Sequence, residues 1–123
     1  MCDQSPYHTQ ETWSKTLNQL MNGPDSDVPQ LLSRLYSQDC AINTNGKKLD
    51  GRTVVPYIMG LREMFASTEI RSLHWLRDRD MFAERHDVIA KLKDGTVSRI
   101  EVLIMGELNS QGQAIWLEEI AHM

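Results

Sequence analysis

Apolar residues in the first half of the chain recur at the spacing of an α-helix and predict three helices. The first helix is predicted to end at Asn22-Gly23-Pro24, because glycine and proline stop helices. Asp27 is a favourable N-cap for the second helix, which tolerates Pro29 in its first turn. The third helix contains Gly60, which suggests close packing against a neighbour. The apolar positions of the three helices are, in order, Trp13, Leu17, Leu20 and Met21; Leu31, Leu32, Leu35 and Tyr36; and Val54, Val55, Ile58, Met59, Leu61 and Phe65.

The second half of the chain changes to the two-residue period of β-strands. A hairpin turn is predicted at Asp94-Gly95. A shorter extended segment, Cys40 to Thr44, lies between the second and third helices and ends in a turn at Asn45-Gly46. The pattern predicts an α+β fold in which helices gather on one face of a curved sheet, with an antiparallel meander after them. The strands of the meander are predicted over residues 71–80, 82–93, 97–108 and 113–122.

The composition narrows the class of protein. The 123 residues are 41% apolar and 24% charged, which is typical of a single globular domain, here 1–123. The formal net charge of −4 argues against sequence-independent binding to nucleic acid, because such binding needs a basic surface. No apolar run reaches the length of about 18 residues that a bilayer requires, so no membrane-spanning segment is expected.

Cysteine usage and the first residues favour a cytoplasmic protein. The two cysteines are Cys2 and Cys40, and because Cys2 lies at the terminus, a structural disulfide is not expected and a reducing compartment is the simpler interpretation. The first residues lack the basic start and apolar run of a signal peptide. The sequence contains no CxxC, HExxH or comparable metal spacing, so no metal is expected. The acid–base chemistry considered below requires no cofactor, so none is expected either.

The most informative polar pattern is Glu84-Arg85-His86-Asp87. Side chains of an extended strand alternate between two faces, so Arg85 and Asp87 share one face. His86 is expected on the other face, toward a neighbour or a dimer surface rather than a pocket. If that face is buried, removing the arginine and the carboxylate from water costs free energy of folding. A second carboxylate from another strand, such as Glu118, would complete a group able to give and take protons around one small substrate.

Several stretches match a known family in order and spacing. Residues Leu35-Tyr36-Ser37-Gln38-Asp39-Cys40-Ala41-Ile42 are similar to a junction between a helix and a first strand, and Asp50-Gly51-Arg52 to the lead into a long helix. With the order of elements, these stretches resemble the NTF2-like superfamily, which includes ketosteroid isomerase, the SnoaL-like polyketide cyclases and limonene-1,2-epoxide hydrolase. The resemblance covers roughly residues 13–120. It implies an NTF2-like cone, in which three N-terminal helices pack on a strongly curved, mainly antiparallel sheet and leave an apolar pocket.

The epoxide hydrolases resemble this chain most, through a Glu-Arg-x-Asp-Val strand and a terminal Trp-x-Asp. The resemblance implies that Arg85 positions two carboxylates, that Asp87 protonates the epoxide oxygen, and that Glu118, in Trp116-Leu117-Glu118, activates water. A shift of one residue in the last hairpin would put Glu119 at the position of the base instead.

The sequence is also compatible with two other functions. A SnoaL-like isomerase or cyclase would use the same pocket without a hydrolytic water, and His74 resembles a histidine often found on the corresponding strand. A non-catalytic ligand-binding module would need only a cross-strand salt bridge from Arg85 to Glu118 or Glu101. In each case the expected ligand is a small apolar molecule. Apolar residues on both faces of the strands indicate that a partner covers one face, so a homodimer is expected.

Overall fold

The computed structural model describes residues 5–122, so Cys2 and the expectation about its disulfide lie outside the described part of the chain. The meander predicted for the second half of the chain is confirmed, although its first strand begins earlier than expected. The helices are α1 (Gln10–Asn22), α2 (Val28–Leu35) and α3 (Val54–Met64), with a 3₁₀ turn over Asp25–Asp27. The strands are β1 (Tyr36–Thr44), β2 (Lys47–Leu49), β3 (Phe65–Asp78), β4 (Met81–Leu92), β5 (Val97–Leu108) and β6 (Ala114–His122).

One mixed sheet contains all of these strands, in the order β2-β1-β6-β5-β4-β3. The last four strands are antiparallel neighbours. β1 pairs with β6 in parallel, with Thr44 opposite Glu119, and the sequence pattern did not predict this pairing. Three helices accompany the sheet as expected, and the extended segment predicted between the second and third helices lies within β1, which β2 follows before α3 begins. The strong curvature that the resemblance implies stays an expectation. Within residues 5–122, no helix is both long and apolar enough to cross a membrane.

α1 begins and ends at residues that satisfy its free backbone groups. The Thr9 hydroxyl accepts a hydrogen bond from the Thr12 N–H, and the Thr12 hydroxyl accepts one from the Thr9 N–H, which is a capping box. The helix ends at Gly23, as predicted, where the glycine N–H donates to the Gln19 carbonyl. The residues that α1 buries are Trp13, Thr16, Leu17 and Leu20.

Two asparagines of α1 protect the open edge of β3, an outermost strand of the sheet. Asn18 donates to the Ile70 carbonyl at 3.0 Å and accepts from the Ile70 N–H at 2.9 Å. Asn22 makes the same pair of contacts with Thr68, at 2.8 and 3.0 Å. Free strand edges favour pairing with another chain, so these amides close that route along this part of β3. They also set the position of α1 along the strand.

The turn between β1 and β2 has the conformation that its sequence predicts. Asn45 and Gly46 have φ angles of 51° and 85°, and successive positive angles of this kind are typical of a tight type I′ hairpin turn. The Asn45 amide also donates to the Ala121 carbonyl at 2.8 Å and accepts from the Ala121 N–H at 2.9 Å. The turn is therefore tied to the end of β6.

The interpretation of Gly60 as a close-packing residue is wrong. Gly60 is exposed, and a Cβ atom at this position would meet nothing within 4 Å. The glycine that requires close packing is Gly106 in β5. A Cβ atom there would lie 2.8 Å from the Phe82 ring and 2.7 Å from the Trp116 carbonyl oxygen. The absence of a side chain at Gly106 therefore leaves room for the Phe82 ring against the sheet.

Four aromatic rings form the centre of the core. Phe82 lies 4.7 Å from Tyr7, 5.9 Å from Trp13 and 6.1 Å from Trp75, measured between ring centroids. The buried Tyr7 hydroxyl donates to the Leu35 carbonyl at 2.8 Å, which fixes the N-terminal segment to the end of α2. Because each ring buries a large apolar area and contacts the others, this cluster joins the N-terminal segment, α1 and the sheet.

The sheet has an inner face, which the helices cover, and an outer face. The even-numbered residues 82–90 of β4 lie on the inner face, and the odd-numbered residues 83–89 lie on the outer face. A β-bulge changes this alternation in β3, because Ser72 pairs with His86 while His74 pairs with Arg85. The extra residue, Leu73, breaks the two-residue period. Ser72 and Trp75 consequently both reach the inner face.

Candidate functional site

A pocket of about 230 Å³ lies between the inner face of the sheet and helices α1 and α3. Most of its wall is apolar or aromatic, and a few polar groups interrupt it. Pockets of this kind, with few polar groups in an apolar wall, are the usual form of small-molecule sites. The apolar and aromatic lining residues are Trp13, Leu17, Leu20, Met21, Tyr36, Tyr57, Ile58, Leu61, Phe65, Ile70, Val88, Ile100, Val102, Ile104 and Ala121, and the others are Thr44, Asn45, His86 and Glu119.

Of the polar residues that line the pocket, His86 is held by the longest chain of hydrogen bonds. Its Nδ1 atom lies 2.6 Å from Glu84 Oε1, and the His86 and Glu84 side chains are only 5% and 0% exposed. The Ser72 hydroxyl donates to the other oxygen of Glu84 at 2.6 Å, and Gln10 donates to the Ser72 hydroxyl at 3.2 Å. This chain of contacts fixes the ring and leaves Nε2 as the nitrogen available to the pocket that His86 lines.

The hydrogen bond from Ser72 to Glu84 depends on the β-bulge in β3. Glu84 pairs across the strands with Trp75, and the bulge turns Ser72 to the same face. The serine hydroxyl can therefore reach the carboxylate, whereas strict alternation of β3 would have put Ser72 and Trp75 on opposite faces. A buried carboxylate needs such hydrogen bonds, because an unpaired one would be strongly destabilising.

Glu119 forms the second polar part of the pocket. The Thr44 hydroxyl donates to Glu119 Oε1 at 2.7 Å, across the parallel β1–β6 pair. Burial of its phenol and the nearby Glu119 carboxylate raise the pKa of Tyr36, so this pocket-lining hydroxyl keeps its proton. Strand spacing puts the Cα atoms of His86 and Glu119 roughly 12 Å apart, which leaves room for a small ligand between the side chains.

The sequence-predicted site residues lie on the outer face, opposite the pocket. Arg85 forms an ion pair with Glu101, and Asp87, although its side chain is 6% exposed, is paired with Arg99. Glu118 is exposed and lies opposite Met105, roughly 12 Å from Arg85 between Cα atoms. The structure therefore does not bring Arg85, Asp87 and Glu118 together in the pocket. Their catalytic roles stay a prediction.

The simpler expectation for Arg85, a cross-strand salt bridge to Glu101, is confirmed. Hydrogen bonding to Arg85, together with the charges of Arg85 and His122, lowers the pKa of Glu101. The Arg85 pKa is raised by the same contact. These groups are open to water, where such pairs contribute little to stability.

His86 and Glu119 are the pocket residues that sequence reasoning missed or left open. The expectation that His86 faces away from the pocket is wrong, because the even-numbered face of β4 is the one that meets the helices. A signal was present in the sequence, since Phe82, Val88 and Ala90 share the face of His86. For the last strand, Glu119 rather than Glu118 lines the pocket. His74 is exposed.

A second cavity, of about 310 Å³, lies beside the C-terminal end of α3 and has a more polar wall. Its Arg62 donates to the carbonyl oxygens of Leu20 and Gly23 and pairs with Asp25 at 2.8 Å. The guanidinium group is thus used to fasten α3 to the end of α1. Across residues 5–122, no three His, Cys, Asp or Glu side chains are grouped so that they could hold a metal ion.

Solved structures with the same arrangement of helices and strands identify the fold. An NTF2-like protein of unknown function from Exiguobacterium sp. 255-15 superimposes with a TM-score of 0.75, at 16% identity, over 89% of this chain and 94% of that chain. The fold is NTF2-like. A pinacolase, BvnE from Penicillium brevicompactum, also superimposes on this chain, with a TM-score of 0.70 and 12% identity over 89% of this chain and 77% of that one.

A proposed SnoaL-like polyketide cyclase from Jannaschia sp. CCS1 matches with a TM-score of 0.68 and 11% identity, over 87% of this chain and 83% of that chain. No protein-family model and no curated protein sequence matches the chain. At these identities the likeness establishes the NTF2-like fold and leaves the chemistry to the residues of the pocket.

Proposed function

We propose that this chain is a cofactor-free acid–base enzyme that moves a proton on a small apolar carbonyl compound, as an isomerase or cyclase does. The observation that supports it is the buried Ser72–Glu84–His86 chain of hydrogen bonds, which ends at an imidazole in the wall of an apolar pocket. A histidine held by a carboxylate is a common arrangement for a general base.

In this proposal, Glu84 accepts the Nδ1–H of His86, which leaves the lone pair of Nε2 facing the pocket. Nε2 removes a proton from the carbon next to the carbonyl group, and Glu84 stabilises the imidazolium ion that forms. The negative charge moves to the carbonyl oxygen, where the protonated Tyr36 hydroxyl can donate a hydrogen bond. In an isomerisation, the Nε2–H of His86 returns the proton to another carbon of a conjugated enolate. In a ring closure, the enolate carbon attacks a second carbonyl group, and Nε2–H protonates the alkoxide oxygen that forms.

Epoxide hydrolysis is the alternative that the sequence favoured. It needs a neutral acid, an ionised base and a water molecule on opposite sides of one substrate. Glu119 lines the pocket, whereas Arg85 and Asp87 lie on the outer face with Arg99 and Glu101. The geometry therefore supports proton transfer through His86 better than water addition through Asp87.

Two assays separate these functions. In D₂O, the protein is expected to speed the exchange of the α-protons of cyclohexanone at least about 100-fold over buffer, the lower range for general-base catalysis, as followed by proton NMR. Cyclohexene oxide in ¹⁸O-labelled water should give no labelled diol above background. Labelled diol without ketone exchange would favour a hydrolase, and ketone binding without exchange would favour a non-catalytic binding module.

We also propose a homodimer that forms through the outer face. Four apolar side chains there are 46–70% exposed and lie in two neighbouring cross-strand rows: Leu76, Leu103, Met105 and Ile120. The same face carries Arg85 and Arg99 beside Glu101 and Asp87. A face with both charge signs around an apolar centre can match a second copy of itself related by a two-fold axis.

Ile120→Glu is expected to convert the dimer to a monomer, because a charge would be buried at the centre of the interface. Sedimentation or light scattering should give twice the 14.1 kDa chain mass for the unchanged protein and one chain mass for the variant. Met64→Glu is the control, because Met64 is similarly exposed (54%) but lies at the end of α3. A monomeric unchanged protein at micromolar concentration would contradict the proposal.

A further inference from the structure

Among the described residues, Glu119 has no cationic partner in a pocket whose wall is mostly apolar. Of the pocket-lining residues, all within 5–122, Glu119 is the sole carboxylate and none is a lysine or arginine. Thr44 satisfies Oε1, and no ion pair within the described part of the chain involves Glu119. The other carboxylate close to the pocket, Glu84, is already bonded to His86 and Ser72.

Aromatic rings line the same pocket as this carboxylate. Trp13, Tyr36, Tyr57 and Phe65 all line the pocket. The faces of aromatic rings attract cations, most strongly where water is excluded. One such contact already exists on Tyr57, where the Lys47 ammonium group lies 5.3 Å from the ring centroid.

The charge at Glu119 also affects its neighbour. Its negative charge is one cause of the raised pKa of Tyr36, after burial of the phenol. The same potential favours positively charged groups that enter the pocket. A bound ammonium group would supply both the missing counter-charge and hydrogen-bond donors for the carboxylate.

From these observations we infer that the pocket takes a small apolar amine in its protonated form, with the ammonium group on Glu119 and the hydrocarbon part on the apolar wall. The volume of about 230 Å³ is below the range of about 300–1,000 Å³ that is usual for drug-sized ligands, so a one-ring amine is the expected size. This inference concerns the pocket of the proposed function, where the amine would be part of the substrate. Its test measures binding alone.

Three ligands of nearly the same size test the charge preference. Benzylamine, benzyl alcohol and benzoate are titrated into the unchanged protein at neutral pH, and dissociation constants are measured from NMR shifts. Benzylamine is expected to bind at least about tenfold more tightly than benzyl alcohol, and benzoate more weakly than both. Equal affinities for benzylamine and benzyl alcohol would overturn the inference without any variant being made.

Adjacent glutamates on opposite faces of β6 supply a matched pair of variants. Glu119→Gln is expected to reduce the affinity for benzylamine to that for benzyl alcohol, and to leave benzyl alcohol binding unchanged. Glu118→Gln removes the same charge from the exposed face and is expected to change neither. Equal effects of the two variants would show that overall charge is responsible and would overturn the inference.

The outcome is independent of the proton-transfer proposal. If the protein shows no preference for the amine but still speeds ketone exchange, the inference about the amine is rejected and the proton-transfer proposal is kept. Amine binding through Glu119 without any exchange would reject the catalytic role of His86 and keep the ligand class.

Discussion

Replacing His86 with asparagine is expected to lower the rate of ketone proton exchange at least about 100-fold, to near the rate in buffer. The asparagine can still contact Glu84, but it has no basic nitrogen to remove a proton. We assign this role to His86 because its Nδ1 atom contacts a buried carboxylate while its ring lines the pocket. NMR exchange rates, with a protein spectrum to verify folding, measure the effect.

Two companion variants define what His86 does. His122→Asn removes an exposed histidine on the outer face and should leave the rate unchanged. Glu84→Gln keeps an acceptor for Nδ1–H but removes the negative charge, so kcat should fall while KM stays nearly constant. That division would identify Glu84 as a positioning residue, because a purely structural loss would not separate kcat from KM in this way.

The variant Asp87→Asn tests whether catalysis depends on His86 in the pocket or on the Arg85–Asp87 pair that the sequence predicted. If proton transfer depends on His86, the outer-face variant should retain the exchange activity. If Asp87→Asn abolishes turnover while His86→Asn does not, the catalytic group is the Arg85–Asp87 pair and the proposal for His86 is wrong.

Phe82→Ala is expected to lower the free energy of unfolding by about 3–5 kcal/mol. Phe82 is 2% exposed and contacts the rings of Tyr7, Trp13 and Trp75. Its removal would leave a cavity that the rigid sheet backbone at Gly106 cannot fill. Urea unfolding followed by tryptophan fluorescence measures the change.

The control for Phe82 is Val97→Ala, since Val97 is 64% exposed at the start of β5 and should change stability by at most about 0.5 kcal/mol. If Phe82→Ala does not fold, Phe82→Leu gives a smaller, measurable loss. A loss below about 1 kcal/mol for Phe82→Ala would mean that the neighbouring rings close the cavity and that the cluster is not the centre of the core.

Much of the local structure could be predicted from local patterns. The stop at Asn22-Gly23-Pro24, the turn at Asn45-Gly46 and the span of β5 depend on residues close together in the chain, and the structure confirms them. The role of Gly60 was misjudged, because a glycine in a helix signals close contact only when a neighbour is present, and here none is.

The site was harder to predict because three of its features arise between distant segments. The bulge at Leu73 turns Ser72 toward Glu84. The parallel pairing of β1 with β6 brings Thr44 next to Glu119. The packing of the helices determines which face of β4 is covered. None of these follows from the period of a single strand. If the wrong face of β4 is assigned to the pocket, Arg85 and Asp87 are predicted there in place of Glu84 and His86.

The sequence by itself determined the types of elements, their order and the sets of side chains that share a strand face, because these depend on backbone geometry between near neighbours. Only the tertiary structure decided which set faces the pocket. That choice follows from the docking of α1, whose Trp13 packs on Phe82 of the inner face while Asn18 and Asn22 bond the edge of β3, more than 40 residues away in the chain. The Arg85 side therefore remains open to water or a partner, while the His86 side is enclosed with the pocket.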